Sequence, residues 1–394
     1  MEVLIYPIKS IMTVDQLINQ TSKTFLQDLQ DVDKNLSFKF IDSFASVKNQ
    51  LVLILVQSGG SENFFKEQIF KNYDGPYYLL TYGASNSLAA ALEILAFIKS
   101  HDALGEVLHG DAQYIVERIH ELQQNKKMPK ERLGVIGKPS DWLIASNVDY
   151  DKCLKKFNLE LIDIEDQELV ELYQEVESNE TDLAYDPKEL NKALKIQQAL
   201  KVLIQKYHLD GITIRCFDII KKLTSTACLA LARLNDEGIT AICEGDIPTM
   251  ITAQLLKRII NEPFFQANPQ HIDLKGQMVE FAHCTIPFKM CKKYELTTHF
   301  ESGLGVAIHG ELNETDVTIV KIDPEFKLFY LASGALIKNE YREDRCRTQI
   351  KVQLKSDGSY FLTSPLANHH LIIYGDHTNV INKYFKALGL IRII

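Results

Sequence analysis

The strongest constraint on the fold is an alternation of β-rich runs and helical periods along the first part of the chain. VLIYPI, LSFKFID, LVLILV and PYYLLTYG are β-rich runs bounded by polar residues or glycine. The segment SNSLAAALEILAFIKSH, which follows the last of them, repeats its apolar residues at helical spacing. Strands that alternate with helices in this way predict a mostly parallel sheet covered by helices.

A second alternating block follows the polar, proline-containing segment NKKMPKER (125–132), which we interpret as a linker. RLGVIG, LELIDIE, GITIRCFDII and ITAICEGDI are predicted strands, and DQELVELYQEVES is a predicted helix. Asp186 and Pro187 predict the start of another helix, because they supply a capping side chain and a proline at the first helical position.

Beyond about residue 262 the pattern changes to short strands separated by turn residues. VEFAHCTIP, GVAIHGEL, DVTIVKID, KLFYLASGAL, TQIKVQL, SYFLTSP and HLIIYGD predict an antiparallel sheet or barrel, and a final helix, VINKYFKALG, follows. We therefore predict an α/β protein with two Rossmann-like parallel-sheet α/β domains followed by a mainly antiparallel β domain at the C-terminus. Their predicted boundaries are 1–125, 131–261 and 262–394.

Charge and composition exclude several classes of function. The 394 residues carry a net charge of −9, which does not favour binding to nucleic acid or to anionic membrane surfaces. The apolar runs are shorter than a membrane span, and the start MEVLIYPIKS does not read as a signal peptide. The seven cysteines are scattered and form no CxxC pair, so we expect a reduced, cytoplasmic location. No GxGxxG follows a strand, which argues against dinucleotide binding.

The segment ITAICEGDIPTM is the most informative for chemistry. Its strand ends in Glu244, Gly245 and Asp246, and two carboxylates at a strand tip can hold a divalent metal or transfer protons. The alternative is that Asp246 only caps the next helix while Glu244 is solvated. His283 is a candidate metal ligand or a core histidine, and its neighbour Cys284 would point to the opposite face of a strand.

Six segments in order carry a family resemblance. CEGDIP, the asparagine segment after PFF, AHCTIP, HFESG, CRTQ and ANHHLIIYGDH resemble the fucose isomerase / arabinose isomerase superfamily, and in particular its shorter fucose-isomerase-like branch. The resemblance covers about residues 133–394. It implies a metal-dependent aldose–ketose isomerase that uses Mn²⁺, acts on a small-molecule sugar and forms homo-oligomers. Such an enzyme moves a proton between C1 and C2 of its substrate through an enediol.

The resemblance also implies roles for individual residues. Glu244 would bind the metal and act as acid/base, and His369 would be a histidine ligand. Asn268 takes the catalytic position where fucose isomerases carry an aspartate ligand, and a neutral amide cannot act as a general base. His283 would supply the missing ligand. The expected substrate-binding residues are Glu301, Arg347, Gln349, Asn368 and Trp142, although Trp142 could equally pack at a domain junction.

Three classes of function follow from these residues. The first is the metal-dependent ketol isomerase of the fucose isomerase type. The second is a non-catalytic sugar-binding or regulatory relative, which the amide of Asn268 motivates. The third is metal-assisted hydrolase or lyase chemistry, because a fold does not determine a reaction. The sequence leaves the sugar, the metal and the number of subunits open.

Overall fold

The computed structural model describes residues 1–12, 14–44, 47, 50–126, 128–178 and 183–393. The chain forms two compact units, Met1–Pro129 and Lys130–Ile394. The predicted linker at 125–132 contains Lys127, which lies outside the described residues. The predicted division of the second unit near residue 262 stays a prediction.

The N-terminal unit is built on a five-stranded parallel sheet with the order β2-β1-β3-β4-β5. Its strands are β1 (Glu2–Ile8), β2 (Ser37–Phe40), β3 (Val52–Val56), β4 (Tyr77–Leu80) and β5 (Gly105–Leu108). Its helices are α1 (Asp15–Val32), α2 (Glu62–Phe64), which continues into a π-helical turn, α3 (Ser87–Ser100) and α4 (Ala112–Lys126). Strand β3 is buried along its whole length, as expected for a sheet with helices on both faces.

The second unit begins with a four-stranded parallel sheet of order β7-β6-β8-β9. Its strands are β6 (Glu131–Ile136), β7 (Leu159–Ile164), β8 (Gly211–Ile214) and β9 (Thr240–Cys243). Its helices are α5 (Tyr150–Phe157), α6 (Asp166–Glu175), α7 (Pro187–Tyr207), α8 (Cys216–Leu223), α9 (Cys228–Asp236) and α10 (Ile247–Lys257). The prediction of two parallel-sheet α/β parts is therefore confirmed.

Two local predictions in this region have different outcomes. The predicted start of α7 is confirmed, since the Asp186 side chain accepts hydrogen bonds from the backbone of Lys188 and Glu189. The predicted strand GITIRCFDII is wrong beyond Ile214, because α8 begins at Cys216. The reason is that Cys216, Ile219, Ile220 and Leu223 recur at helical spacing and bury one face of α8.

The rest of the second unit is mainly antiparallel, as predicted. Six strands pair in the order β14-β17-β10-β11-β16-β15, and β15 pairs back with β14 to close a barrel. These strands are β10 (Phe264–Asp273), β11 (Met278–His283), β14 (Asp316–Ile322), β15 (Leu328–Glu340), β16 (Thr348–Leu354) and β17 (His370–Tyr374). The remaining elements are the antiparallel pair β12 (Cys291–Thr297) and β13 (Ala307–Leu312), the short 3₁₀ helix Phe288–Met290, the helices α11 (Tyr360–Thr363) and α12 (Thr378–Ala387), and β18 (Ile391–Ile393). Strand β18 runs parallel to β15.

The segment SYFLTSP is helical at α11 instead of forming the predicted strand. Tyr360 lies flat on Tyr330 with ring centroids 3.6 Å apart, and Phe361 packs edge-on against Phe281. A short helical turn lets both aromatic rings cover the barrel core, whereas neighbours on a strand would point to opposite faces.

Packing between the barrel and α10 sets the position of the site. Alternate residues of β14, β15 and β17 belong to two different apolar clusters, so these strands are covered on both faces. One cluster joins Leu331 and Leu371 of the barrel to Met250 and Ile251 of α10. The turn between β9 and α10 is consequently held against the barrel.

Among the described residues, no helix is long and apolar enough to cross a membrane.

The apolar contact between β15 and α12 gives a test of this packing. Phe329 is fully buried, and its ring centroid lies 5.2 Å from that of Phe385. We expect Phe329→Ala to lower the free energy of unfolding by about 3–5 kcal/mol, because it leaves a cavity. Ile337 on the same strand is 37% exposed, and Ile337→Ala serves as the control. Urea unfolding followed by circular dichroism measures both variants; equal losses would contradict this account of the core.

Candidate metal centre

The turn after β9 places Glu244 at the carboxyl end of the parallel sheet. Glu244 and Gly245 both adopt left-handed backbone conformations, with φ of 64° and 66°. A Cβ on Gly245 would lie 2.8 Å from the carbonyl oxygen of Lys138, so only glycine fits there. A left-handed conformation costs a non-glycine residue about 1–2 kcal/mol, and functional sites are where such strain is commonly found.

Three side chains that are far apart in the sequence meet at this turn. One ligand atom from each of Glu244, His283 and His369 lies within 4.8 Å of the others. The Oε1 atom of Glu244 is 3.5 Å from Nε2 of His283 and 3.6 Å from Nε2 of His369. Both imidazoles are buried, while Glu244 is partly exposed. This cluster could hold a metal ion, as a carboxylate and two imidazoles suit Mn²⁺, Fe²⁺ or Zn²⁺.

Hydrogen bonds to the far side of each ring fix the orientation of both histidines. Nδ1 of His283 is 3.0 Å from the hydroxyl of Thr285, and Nδ1 of His369 is 2.9 Å from Oδ2 of Asp246. Both Nε2 atoms are buried and have no hydrogen-bond partner among the described residues. Metal-binding histidines usually have this arrangement, with the second ring nitrogen held by a carboxylate or another polar group. The two free nitrogens therefore fit an ion next to Glu244.

Electrostatics at the cluster favour bound positive charge. Burial raises the pKa of Glu244, but the imidazoles of His369 and His283 outweigh this effect and hold that pKa well below its usual range. Burial lowers the pKa of His369, but the carboxylates of Glu244 and Asp246 raise it to about 9. Without a metal, the proton on His369 neutralises part of this negative charge. A divalent cation would displace that proton.

Asp246 connects the site to the barrel. Its Oδ1 atom accepts a hydrogen bond of 2.8 Å from the backbone N–H of Thr249. Asp246 therefore caps α10, which is one of the two interpretations that the sequence allows for this residue. Its carboxylate also lies 3.2 Å from Nζ of Lys321 in β14, and both side chains are buried. One carboxylate thus holds α10, His369 and Lys321 together.

A small pocket lies next to the cluster. Trp142 donates a 3.0 Å hydrogen bond from Nε1 to Oε2 of Glu244, and its ring packs edge-on against Phe217 at 4.9 Å. The pocket is lined by Glu244 and His283 together with Phe217, Thr226, Cys284 and His299. Trp142 is 47% exposed. It therefore orients the carboxylate from the side that faces solvent.

Two of the predicted side chains flank the strand that carries His283. Asn268 in β10 and Gln349 in β16 both lie opposite Ala282 of β11, one residue before His283. The amide oxygens of Asn268 and Gln349 are buried without a hydrogen-bond partner among the described residues. Buried amides are normally satisfied, so these two oxygens are available to a ligand.

The other predicted recognition residues lie outside the cluster of Glu244 and the two histidines. Arg347 donates from Nε to the carbonyl oxygen of Thr298 at 2.8 Å and from Nη1 to that of Glu343 at 3.4 Å. Glu301 and Asn368 are exposed. Their assignment to substrate binding, like that of Trp142 and Gln349, stays a prediction.

Reasoning from the sequence missed two residues near the metal centre. Lys321 carries no motif, and its one signal is that it interrupts the apolar residues between Asp316 and Asp323 in the segment DVTIVKID. Phe217 falls within the predicted strand GITIRCFDII, although it belongs to α8 and packs against both Trp142 and His299. The contacts of Lys321 and Phe217 cannot be read from sequence spacing, because they join residues of separate elements.

Comparisons with known proteins give weak similarity to sugar isomerases. The chain is 23% identical over 327 residues to a protein named sulfoquinovose isomerase from Clostridium sp. (strain MSTE9), covering 76% of this chain and 68% of that protein. It is 20% identical over 215 residues to a sulfoquinovose isomerase from Alkalicoccus urumqiensis, covering 52% of this chain and 48% of that protein. The match thus spans about half the length of the latter relative.

Neither of the other two comparisons adds to this similarity. No protein-family model matches the chain. The solved structure of D-threo-3-hydroxyaspartate dehydratase from Delftia sp. HT23 aligns with 10% identity and a TM-score of 0.14, covering 95% of this chain and 83% of that one. A likeness of this size supports no statement about fold or function.

The cluster predicts metal binding that depends on both histidines. We expect the purified protein to bind one equivalent of a divalent metal per chain. His283→Ala and His369→Ala should each weaken binding by about 100-fold or more, because each removes a ligand. His271→Ala is the matched control, since this histidine is exposed and outside the cluster. Calorimetric titration measures the affinities; unchanged binding in both ligand variants would contradict the site.

The raised pKa of His369 predicts the pH dependence of metal-free stability. The ordinary pKa is 6.5 and the folded value is about 9, so the stabilisation is complete below about pH 6.5 and is lost as the pH rises through about 9. We expect His369→Gln to lower the free energy of unfolding most at about pH 6 and least at about pH 9.5. Urea unfolding in the presence of EDTA measures this difference; a difference independent of pH would refute the ion-pair account.

Proposed function

We propose that this protein is a metal-dependent aldose–ketose isomerase that acts on a sugar. The observation that carries the proposal is the meeting of Glu244, His283 and His369 beside a pocket, with both free imidazole nitrogens directed at the carboxylate. The names of the two similar proteins, each a sulfoquinovose isomerase, support the same reaction class. We propose L-fucose isomerase-type chemistry, in which a proton moves between C1 and C2 through an enediol.

The residues present fit a divalent metal, and we propose Mn²⁺. Glu244, His283 and His369 would hold the ion, and its bound form supplies positive charge that stabilises the negative charge developing on the sugar oxygens. The histidine rings need not reorient when the metal binds, because Thr285 already holds His283 and Asp246 already holds His369. The site is therefore arranged for the ion before it arrives.

Glu244 is the residue we propose to move the proton. Its Oε2 atom accepts the hydrogen bond from Trp142, while Oε1 faces the histidines, so the two carboxylate oxygens lie in different surroundings. The partly exposed side chain is open to a substrate from the side of Trp142. A carboxylate placed in this way can remove a proton from one sugar carbon and return it to the next, an effect worth about 10²–10⁴ in rate.

Asn268 is proposed to orient a sugar hydroxyl. The amide has no acid/base capacity, but its buried Oδ1 atom can accept a hydrogen bond. The same residue supports the second candidate, a sugar-binding protein without turnover. That candidate predicts thermal stabilisation by a sugar and no ketose product.

We also propose a homo-oligomer in the cytoplasm, as expected from the sequence.

A panel of aldoses with and without a sulfonate group tests the proposed function. We expect the protein with added Mn²⁺ to form ketose from at least one sugar of the panel, which includes sulfoquinovose and glucose. Glu244→Gln should lower kcat by at least about 100-fold while the fold is retained, because the proton carrier is lost. Lys201→Gln, a change of a partly exposed residue of α7 outside the cluster of Glu244 and the two histidines, is the control.

The outcomes of this experiment separate the candidates. Sugar-dependent stabilisation without any turnover would favour the binding protein. Turnover that survives in Glu244→Gln at the wild-type rate would remove Glu244 from the mechanism. A preference for sulfoquinovose over glucose would place the substrate with that of the named relatives.

A further inference from the structure

A fully buried lysine lies behind the metal centre. Lys321 lies in β14 between Val320 and Ile322, and none of its side chain is exposed. Taking an ammonium group out of water costs several kcal/mol unless its donors are well satisfied. Here the donors reach both carboxylate oxygens of Asp246, each at 3.2 Å, and the hydroxyl of Thr249. The ammonium group of Lys321 therefore binds Asp246 and Thr249 inside the protein.

That contact leaves the carboxylate of Asp246 little freedom. Oδ1 accepts from the backbone of Thr249 and from Lys321, while Oδ2 accepts from Lys321 and from Nδ1 of His369. Donors on both oxygens and on two sides prevent the group from rotating away from the histidine. Because Nδ1 of His369 donates to this carboxylate, its Nε2 atom is the nitrogen left to face Glu244.

We infer that Lys321 is a positioning residue of the metal centre, which acts through Asp246 to hold His369 with Nε2 directed at the ion. This inference rests on the metal-binding part of the proposed function and not on the identity of the sugar. Lys321 does not reach the cluster itself; it acts through one carboxylate and one imidazole.

A purely structural role explains this lysine less well. Replacing a buried ion pair by apolar side chains is often neutral or stabilising, so packing alone gives no reason for a lysine here. The neighbours of Lys321 in β14 already belong to an apolar cluster, and β14 pairs with both β15 and β17. An apolar residue at position 321 could not stabilise the negative charge of Asp246. That charge in turn holds the hydrogen bond from His369 to Asp246.

The test compares a variant that breaks the fully buried ion pair of Lys321 with one that breaks a partly buried ion pair elsewhere. Lys321→Met removes the cation behind His369. Arg258→Met breaks the ion pair with Glu131, in which the side chain of Arg258 is 10% exposed and that of Glu131 is 16% exposed. Glu131 lies at the start of β6, at the opposite end of the sheet from Glu244. We expect Lys321→Met to weaken Mn²⁺ binding by about 10–100-fold and Arg258→Met to leave it unchanged.

The visible spectrum of the Co²⁺-loaded protein adds a readout that stability alone would not alter. We expect the ligand-field bands of Lys321→Met to shift, because His369 is no longer held in one orientation, and those of Arg258→Met to match the wild type. Thr249→Val is a second variant of nearly equal size that removes one acceptor of Lys321. It should weaken binding by several-fold, and it should add nothing in the double variant with Lys321→Met.

The results separate this inference from the proposed function. Unchanged affinity and unchanged Co²⁺ bands in Lys321→Met would overturn the positioning role; if that variant does not fold, unchanged affinity in Thr249→Val would do so. Wild-type protein that binds no metal would overturn both the site and the inference. Wild-type protein that binds metal without forming ketose would remove only the isomerase, and the affinities of the variants would still decide the role of Lys321.

Discussion

The carboxylate of Asp246 is the group on which the arrangement of this site depends. It caps α10, pairs with Lys321 of β14 and holds Nδ1 of His369. One buried charge therefore joins the end of the parallel sheet to two parts of the barrel. Glu244 lies two residues before this group, so the turn that presents the proposed proton carrier is anchored by the same contacts. The positions of Glu244 and His369, two of the three candidate metal ligands, therefore depend on where this carboxylate is held.

The cost of burying these charges fits a functional role better than a structural one. Burial opposes ionisation of Glu244, Asp246 and Lys321 alike. The imidazoles of His369 and His283 outweigh it at Glu244, and Lys321 with His369 outweighs it at Asp246. At Lys321 burial prevails and lowers the pKa, although Asp246 opposes this effect. The left-handed backbone at Glu244 adds strain to the same turn. Strain and buried charge accumulate here while the apolar clusters elsewhere hold the fold together, which is the pattern expected where chemistry is performed.

Periodicity predicted most of the architecture, because strands and helices leave different spacings of apolar residues. It did not locate the end of β8 or the helical turn at Tyr360, since both depend on which neighbours cover a side chain. Glu244 and His283 are candidates from the local sequence, whereas His369 came from the family resemblance. Spacing alone gives no means of bringing positions 244, 283 and 369 together. Lys321 could not be predicted, because its role exists only when β14 packs against α10.

Asn268 bears on which metal the proposed site would prefer. Where the resemblance implies an aspartate, the amide removes one negative charge, and His283 adds a neutral nitrogen ligand. The donor set thus shifts from oxygen towards nitrogen, which makes it more suitable for Zn²⁺ and Fe²⁺ than a site with two carboxylates. Because Glu244 is then the one carboxylate in the cluster, the proposed isomerase would use its charge both to attract the ion and to accept the proton. An isomerase with this ligand set would place more of its chemistry on a single side chain.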